Sequence, residues 1–213
     1  MEHVAAVIVD IVGSRTLADR AGAQRAVLAA FADAEATLDD APARPLAGTV
    51  GDEFQGVYAS LADALAVTTL APLLLPEEIR VRSGIGLGEV VEVDGDISDG
   101  SGWWRAREAI QEAHRREDAG ERSVLSWCVG GEGDDAGMAS SFLLLRDHVV
   151  GRMKARERRI AAGLLRGVSQ QELAADESIT QGAVSQAAHR SGAAALRAAL
   201  EQVAGVLRSE DSA

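Results

Sequence analysis

The sequence predicts an α+β fold, in which helices cover one face of a central antiparallel sheet and a small all-α domain follows. Residues 4–12, VAAVIVDIV, form a continuous apolar run that is typical of a buried central strand. Residues 45–58, PLAGTVGDEFQGVY, contain two strand-favouring runs around a glycine turn, which predicts a hairpin. Residues 17–38 and 60–72 have apolar residues at helical spacing. The predicted order is therefore strand, helix, hairpin, helix, strand.

Later segments extend this pattern. Residues 79–93 predict strands with a glycine-rich middle, and residues 94–102 predict a loop by composition. Residues 103–116 predict a helix with polar faces. Residues 122–129 predict a last strand. From residue 136 the chain is expected to be helical, either as a connector between domains or as a dimer interface.

The composition limits the classes of function. The chain has 213 residues, which is enough for one sizeable domain and a small one. Its net charge of −12 argues against broad nonspecific binding to nucleic acid, although basic residues predominate locally in residues 152–159. No apolar run is long enough to span a membrane, and the N-terminus has no basic signal-peptide region. The single cysteine, Cys128, excludes an internal disulfide. We expect a cytoplasmic location and no membrane partner.

Two aspartates are candidates for a metal site. Asp10 interrupts the first apolar run directly before a Gly-Ser-Arg turn, so we expect it at the carboxyl end of that strand, where α/β sheets bind ligands. Asp52 and Glu53 follow Gly51 at the predicted hairpin tip. Hard cations such as magnesium or manganese prefer oxygen ligands, and a nucleotide usually brings such an ion. Taken alone, the acidic pair is also compatible with a solvated turn.

Alternating glycines mark the middle of the fourth predicted strand. Gly84, Gly86 and Gly88 are spaced as in GxGxG, but no helix opens directly after them and the last glycine of a dinucleotide fingerprint is missing. Two interpretations remain open. The glycines clear space for a ligand, or they allow a neighbouring backbone to pack closely.

The C-terminal segment predicts a helix-turn-helix. Ser169 with Glu172 forms a capping box for one helix, and Thr180 caps the next. Side chains that bond base edges and phosphates are expected on the exposed face of that second helix, which makes DNA a candidate partner and a dimerisation bundle the alternative. The candidate DNA-binding residues are Thr180, Gln181, Ser185, Gln186, His189 and Arg190. The predicted division is residues 1–135, a connecting helix at 136–155, and the helix-turn-helix domain at 156–208.

The ordered motifs DIVGSR, VGDEF, VRSGIGLGEV and GWWRAREAI resemble the class III nucleotidyl cyclase catalytic domain. Joined to a C-terminal helix-turn-helix, they resemble the SatD family of bacterial proteins more closely. VGDEF is also similar to the diguanylate cyclase signature, although the later motifs fit class III better. The resemblance implies a ferredoxin-like, cyclase-like sheet and a homodimer.

The cyclase resemblance also implies functional residues. It implies a magnesium or manganese site at Asp10, Ile11 and Asp52. It further implies that a nucleotide or other phosphate-bearing ligand binds at Gly13, Ser14, Gly51 and Arg107.

Two positions depart from the cyclase pattern. Gly48 stands where the purine-reading lysine is expected, and Trp103 stands where an asparagine supports the transition state. The pattern favours a degenerate domain that binds a metal-nucleotide with little or no turnover. The expected function is therefore a ligand-responsive, DNA-binding transcriptional regulator. The alternatives are an active nucleotidyl cyclase with a regulatory helix-turn-helix, and an interaction module built from two degenerate domains.

Overall fold

A computed structural model describes residues 4–49, 51–94, 97–133 and 135–210. Val50 and Asp134, which fall in the predicted hairpin and in the loop before the connecting helix, lie outside the described residues. The strands are β1 (Val4–Ile11), β2 (Arg44–Gly48), β3 (Glu53–Tyr58), β4 (Val81–Gly88), β5 (Val91–Asp94), β6 (Ile97–Asp99) and β7 (Ser126–Val129). Five of them form one sheet in the order β2-β3-β1-β4-β7, and β5 pairs with β6.

The described part contains eight α-helices and one short 3₁₀ helix, Ser14–Thr16. The α-helices are α1 (Arg20–Glu35), α2 (Leu61–Leu74), α3 (Ser101–Asp118), α4 (Ala136–Arg152), α5 (Ala155–Leu165), α6 (Gln170–Asp176), α7 (Gln181–Ser191) and α8 (Ala193–Glu210). The predicted caps Ser60, Ser169 and Thr180 each accept a hydrogen bond from the first turn of their helix. None of the helices in these ranges is long and apolar enough to cross a membrane.

The α+β class is confirmed, but two details of the predicted sheet are wrong. The sheet is mixed, because β7 runs parallel to β4 while all other pairs in it are antiparallel. A strand–helix–strand crossover places its two strands parallel, and α3 makes that crossover between β4 and β7. The predicted loop at 94–102 contains β6, the second strand of the small β5–β6 hairpin.

Helices cover both faces of the sheet, not one. Val7 and Val9 of β1 pack in the cluster that contains the buried side chains of α1 and α2. Ala6 and Ile8 point the other way and pack against α3. Successive residues of a strand face opposite sides, so β1 is buried on both, as its continuous apolar run requires.

The alternating glycines are explained by this second layer. A Cβ added at Gly84 would lie 2.4 Å from the carbonyl oxygen of Ala106, and one at Gly86 would lie 2.1 Å from the nitrogen of Ala106. Both clashes are with backbone, so they could not be relieved by a side-chain rotation. Of the two interpretations left open by the sequence, the close approach of a neighbouring backbone is the one the structure has.

Helix α2 continues through Pro72 to Leu74, beyond its predicted end. Proline lacks the N–H that would bond the carbonyl of Thr68, four residues earlier. Arg146 of α4 replaces it, because its Nη1 donates to that carbonyl oxygen. A side chain 78 residues away in sequence therefore completes the helix.

The C-terminal helices share the core of the sheet. Helices α5 and α8 both pack on α2. One continuous cluster of buried side chains runs from β1 through α2 to Ile160 of α5, Val184 of α7 and Leu196 of α8. The predicted connecting helix α4 packs against β7 and α2.

Candidate functional site

Three charged residues lie side by side at one end of the sheet. Asp10 of β1 is opposite Glu53 of β3 on one side and opposite Arg82 of β4 on the other. Ala6 and Ile8, on the same face of β1, pack against α3. The charged row therefore continues the α3 face of the sheet beyond the end of its apolar core.

Arg82 links two carboxylates within this row. Its Nη1 donates to Asp10 Oδ1 at 3.0 Å, and its Nε and Nη2 donate to Glu117 Oε2 of α3 at 2.9 and 2.6 Å. Burial raises the pKa of Asp10, Arg82 opposes that shift, and the negative charge of Asp52 adds to it. Asp10 is therefore held in a fixed position and close enough to Asp52 for the two charges to interact.

The turn that carries Asp52 is hydrogen-bonded to the N-terminal part of α1. Gly51 has φ +71°, which a glycine adopts without strain, and its carbonyl accepts a hydrogen bond from Gln24 Nε2 of α1 at 2.5 Å. The loop between β1 and α1 contains Gly13, with φ +66°, and the buried Ser14. The predicted nucleotide-binding positions in both turns therefore lie at the end of the sheet that carries Asp10.

Arg107, the predicted phosphate ligand, is held by Glu53. Its Nη1 donates to Glu53 Oε2 at 2.5 Å and its Nη2 to Oε1 at 2.7 Å. This bond lowers the pKa of Glu53 and raises that of Arg107. The arginine side chain remains 45% exposed, so a ligand can reach it. A phosphate would compete with Glu53 for the guanidinium.

A groove of about 440 Å³ runs from the charged row along α3, large enough for a nucleotide-sized ligand. Asp10 of β1, a predicted metal ligand, and Arg107 of α3, a predicted phosphate ligand, both line this groove. The rest of its lining is mostly polar and comes from successive turns of α3: Ile110, Gln111, His114, Arg115 and Asp118.

The predicted DNA-binding residues lie on and before α7. Thr180, Gln181, Gln186, His189 and Arg190 are exposed, and Ser185 is half-buried. Val184, Ala187 and Ala188 on the opposite side are buried. The helix therefore presents a polar face to solvent and packs its apolar face against the neighbouring helices.

The basic segment at 152–159 is used within the fold. Arg159 forms a two-pronged bond with Glu177, with distances of 2.6 and 2.7 Å, and Arg156 lies 3.4 Å from the same carboxylate. Arg158 donates to the carbonyls of Pro72 and Leu75 at the end of α2. This segment therefore braces α5 against α2 and the end of α6.

A family model described as the SatD family matches residues 4–195. The chain belongs to the SatD family. No curated protein sequence matches it. The family match begins in β1 and ends in α8, so it includes both the charged end of the sheet and α7.

The predicted metal ligands of this SatD-family protein provide a chemically suitable but sparse donor set. Among the described residues there is no group of three or more His, Cys, Asp or Glu that could hold a metal ion. Asp10 and Asp52 are two carboxylates, and the side chain of Ile11 is buried in the α1–α2 layer, so Ile11 could contribute only its carbonyl oxygen. Oxygen donors suit magnesium or manganese, which usually keep waters and bind substrate phosphates as well.

Trp103 occupies a different environment from Arg107, although both are on α3. Its side chain is buried in the layer between α3 and the sheet, and its indole Nε1 donates to Ser98 Oγ at 3.0 Å. Arg107 lies one turn later, in the groove. The position at which the cyclase pattern has asparagine is therefore part of the packing of this SatD-family protein and does not line the groove.

Sequence reasoning missed the counter-ions of the site. The sequence predicts Glu53 only as one of an acidic pair at the hairpin tip, and it does not single out Arg82 or Glu117. Arg82 carries one detectable signal, since it shares the α3 face of β4 with Gly84 and Gly86 at period two. A charged residue in a strand that is otherwise close-packed needs a partner, but the sequence does not show which one.

Proposed function

We propose that this SatD-family protein is a ligand-responsive, DNA-binding transcriptional regulator that acts as a homodimer. The observation that carries the proposal is the exposed polar face of α7, which follows a capped helix and a tight turn. Ser178 in that turn has φ +54°, so the chain reverses abruptly between α6 and α7. This arrangement supports a helix-turn-helix, a motif whose second helix enters the major groove.

The charge of this region supports the proposal. No acidic residue occurs between Glu177 and Glu201, in a chain with 33 Asp and Glu residues and a net charge of −12. The polar face of α7 can therefore approach phosphates without local repulsion. Acids elsewhere would disfavour other modes of docking, which favours one orientation on DNA.

The charged end of the sheet would bind the ligand. Asp10, Asp52 and the carbonyl of Ile11 would hold magnesium or manganese, and Gly13, Ser14, Gly51 and Arg107 would contact a nucleotide or another phosphate-bearing ligand. The order strand, helix, two strands, helix, strand, with α1 and α2 on the same face, supports a ferredoxin-like, cyclase-like domain. Ligand binding would shift the relative placement of two helix-turn-helix units in the dimer.

The buried position of Trp103 favours binding over cyclase turnover. Catalysis requires groups that stabilise the transition state more than the substrate, and the indole replaces the polar group expected there. Gly48 likewise offers no side chain to read a purine. The alternative, an active nucleotidyl cyclase, would have to supply both functions from other residues.

The DNA-binding proposal is tested by selecting preferred duplexes from a random pool with the full chain and measuring affinity by mobility shift. Gln186→Ala should relax sequence preference, because glutamine reads base edges. Arg190→Ala should weaken binding to all duplexes and reduce the salt slope by about one.

The matched control is Arg25→Ala, which removes an exposed arginine from α1. It should bind as the parent does. Selection of no preferred duplex by the parent protein, or full binding by both α7 variants, would refute the assignment of α7 as a recognition helix.

A further inference from the structure

A second cavity, of about 590 Å³, lies where the end of α2 meets α5 and α6. Its volume is in the range of small-molecule sites, which occur preferentially between structural units. It shares no lining residue with the groove beside Asp10. Nothing in the proposed phosphate-binding function uses it.

The floor of this junction cavity is apolar and buried. Its buried apolar lining includes Leu73, Leu75, Ala162 and Leu173, and the half-buried Val168 lies beside them. Gly163 allows this floor to form, because a Cβ at that position would lie 2.3 Å from Leu173 Cδ2. An apolar ligand body would therefore gain from leaving water here.

Arg158 supplies a positive charge to the lining of the cavity. Its Nη2 donates to the carbonyls of Pro72 and Leu75, which fixes the guanidinium at the end of α2. Its Nε is buried and, among the described residues, has no hydrogen-bond partner. Because Nε is closed to solvent, a ligand would meet the exposed part of this half-buried side chain, whose positive charge favours an anionic group.

The charges around the cavity limit what that anionic group can be. The lining contains three arginines and three carboxylates: Arg158, Arg159, Arg166, Glu77, Asp176 and Glu177. Glu177 is already paired with Arg159 at 2.6 Å. One additional negative charge can be accommodated beside Arg158, whereas the several charges of a polyphosphate would be repelled by the acids.

We propose that the junction cavity is a second binding site, which takes a small amphipathic monoanion. The apolar body would lie on the leucine floor, and a single carboxylate or sulfonate would pair with the guanidinium of Arg158. Because Leu173 and Asp176 of α6 line the cavity together with the end of α2, the ligand would contact both the sheet domain and the helix that precedes α7. The binding claim does not depend on the function proposed for α7 or for Asp10.

The test is fluorescence titration of the full chain with anilinonaphthalene sulfonate, an aromatic monoanion that becomes emissive in apolar sites. We expect one saturable site that octanoate displaces. Octanol, which has the same chain length and no charge, should displace it at least about tenfold less well, corresponding to one ion-paired hydrogen bond. Equal displacement by octanoate and octanol would refute the role of Arg158.

Two variants locate the site. Val168→Phe adds bulk to the cavity lining and should weaken probe binding by about tenfold or more. Val91→Phe adds the same bulk to an exposed position on β5 and should leave affinity unchanged. Circular dichroism checks that both variants are folded. If a folded Val168→Phe protein bound the probe as tightly as the parent, the probe would occupy another surface and the proposal would be wrong.

Discussion

Glu53 is the hydrogen-bond partner that a phosphate would have to displace in order to bind Arg107. The two side chains form a two-pronged bond beside the groove that Arg107 lines, and the arginine is 45% exposed. Because exposed ion pairs contribute only about 0.2–1 kcal/mol, a ligand phosphate can displace the carboxylate. Glu53 would therefore weaken the binding of the proposed phosphate ligand without blocking Arg107.

Glu53→Gln should increase affinity for tripolyphosphate in the presence of manganese by up to about fivefold, which is the affinity equivalent of 1 kcal/mol. Isothermal titration calorimetry measures the change. Glu108→Gln removes the same charge from the neighbouring exposed position on α3 and serves as the control. Equal gains in both variants would indicate a general charge effect and would exclude competition at Arg107.

The same pair predicts a direction of pH dependence. Arg107 lowers the pKa of Glu53 in the folded state. The pair therefore contributes to stability above the ordinary pKa of 4.5, and that contribution is lost as the pH falls through the lowered value. The contribution of Asp10 to stability has the opposite pH dependence. Because burial raises its pKa, its contribution is present below 3.8 and is lost as the pH rises through the raised value.

Asp52→Asn should abolish manganese-dependent stabilisation by nucleoside triphosphates while leaving the protein folded. The substitution removes one of two carboxylates near the proposed ion. It also removes a charge that raises the pKa of Asp10, so the metal-free protein should lose no stability at neutral pH. Thermal unfolding with and without manganese provides the measurement, and Asp33→Asn on the exposed side of α1 is the control. An undiminished manganese effect in Asp52→Asn would remove this residue from the site.

At the scale of elements, helix α2 depends on a partner distant in sequence. Arg146 is fully buried, bonds the Thr68 carbonyl that Pro72 leaves unpaired, and donates to Ser126 Oγ at 2.8 Å. Its Nε lies 3.1 Å from Asp147 Oδ1 as an ion contact. Burial lowers the pKa of Arg146 and raises that of Asp147. The attraction between the two opposite charges opposes both shifts.

Arg146→Met should destabilise the protein by about 3–5 kcal/mol, because it leaves the buried carboxylate of Asp147 without its cation. In a Pro72→Ala background the loss should be smaller by about 1 kcal/mol, since the alanine would supply the missing N–H to the Thr68 carbonyl. Urea unfolding of the two single variants and the double variant gives this difference. Strictly additive losses would show that Arg146 does not compensate for the proline.

The elements differ in how far the sequence determines them. Ser60, Ser169 and Thr180 are local signals, and each begins a helix where predicted. The continuation of α2 through Pro72 could not be predicted, because the arginine that bonds the Thr68 carbonyl lies 78 residues after Thr68 in the chain. Nor could the second helical layer, since a row of glycines fits a ligand as well as a backbone.

The candidate site likewise contains parts that the sequence predicts and parts that it does not. The sequence places Asp10 at a strand end and Asp52 at a turn, and the structure brings these two ends together. The sequence does not predict that Arg82 bonds Asp10 or that Glu53 bonds Arg107, because those pairings depend on which elements become neighbours. Asp10 and Arg82 are 72 residues apart.

At the scale of the whole molecule, α2 joins the two predicted domains. Its buried residues face α1 and the sheet on one side and α5 and α8 on the other. The core cluster passes through it without interruption. The C-terminal helices are therefore positioned by the sheet domain and are not connected to it by a linker alone.

The chain should consequently unfold in one cooperative transition. Urea curves recorded by circular dichroism and by fluorescence of the tryptophans, which lie outside the C-terminal helices, should have the same midpoint. Calorimetry should give equal calorimetric and van't Hoff enthalpies. Two separated transitions would show that the shared core contributes little and that residues 156–208 fold independently.

The charged row at the end of the sheet has a further consequence for how the strands find their alignment. Asp10, Glu53 and Arg82 lie side by side only when β3 and β4 both pair with β1 in the observed register. A slip of one residue would turn the carboxylate of Asp10 into the apolar layer under α1 and α2, where an unpaired charge costs several kcal/mol. Asp10, which is proposed to bind the metal ion, would therefore also penalise a misaligned sheet, and selection on either property would preserve the other.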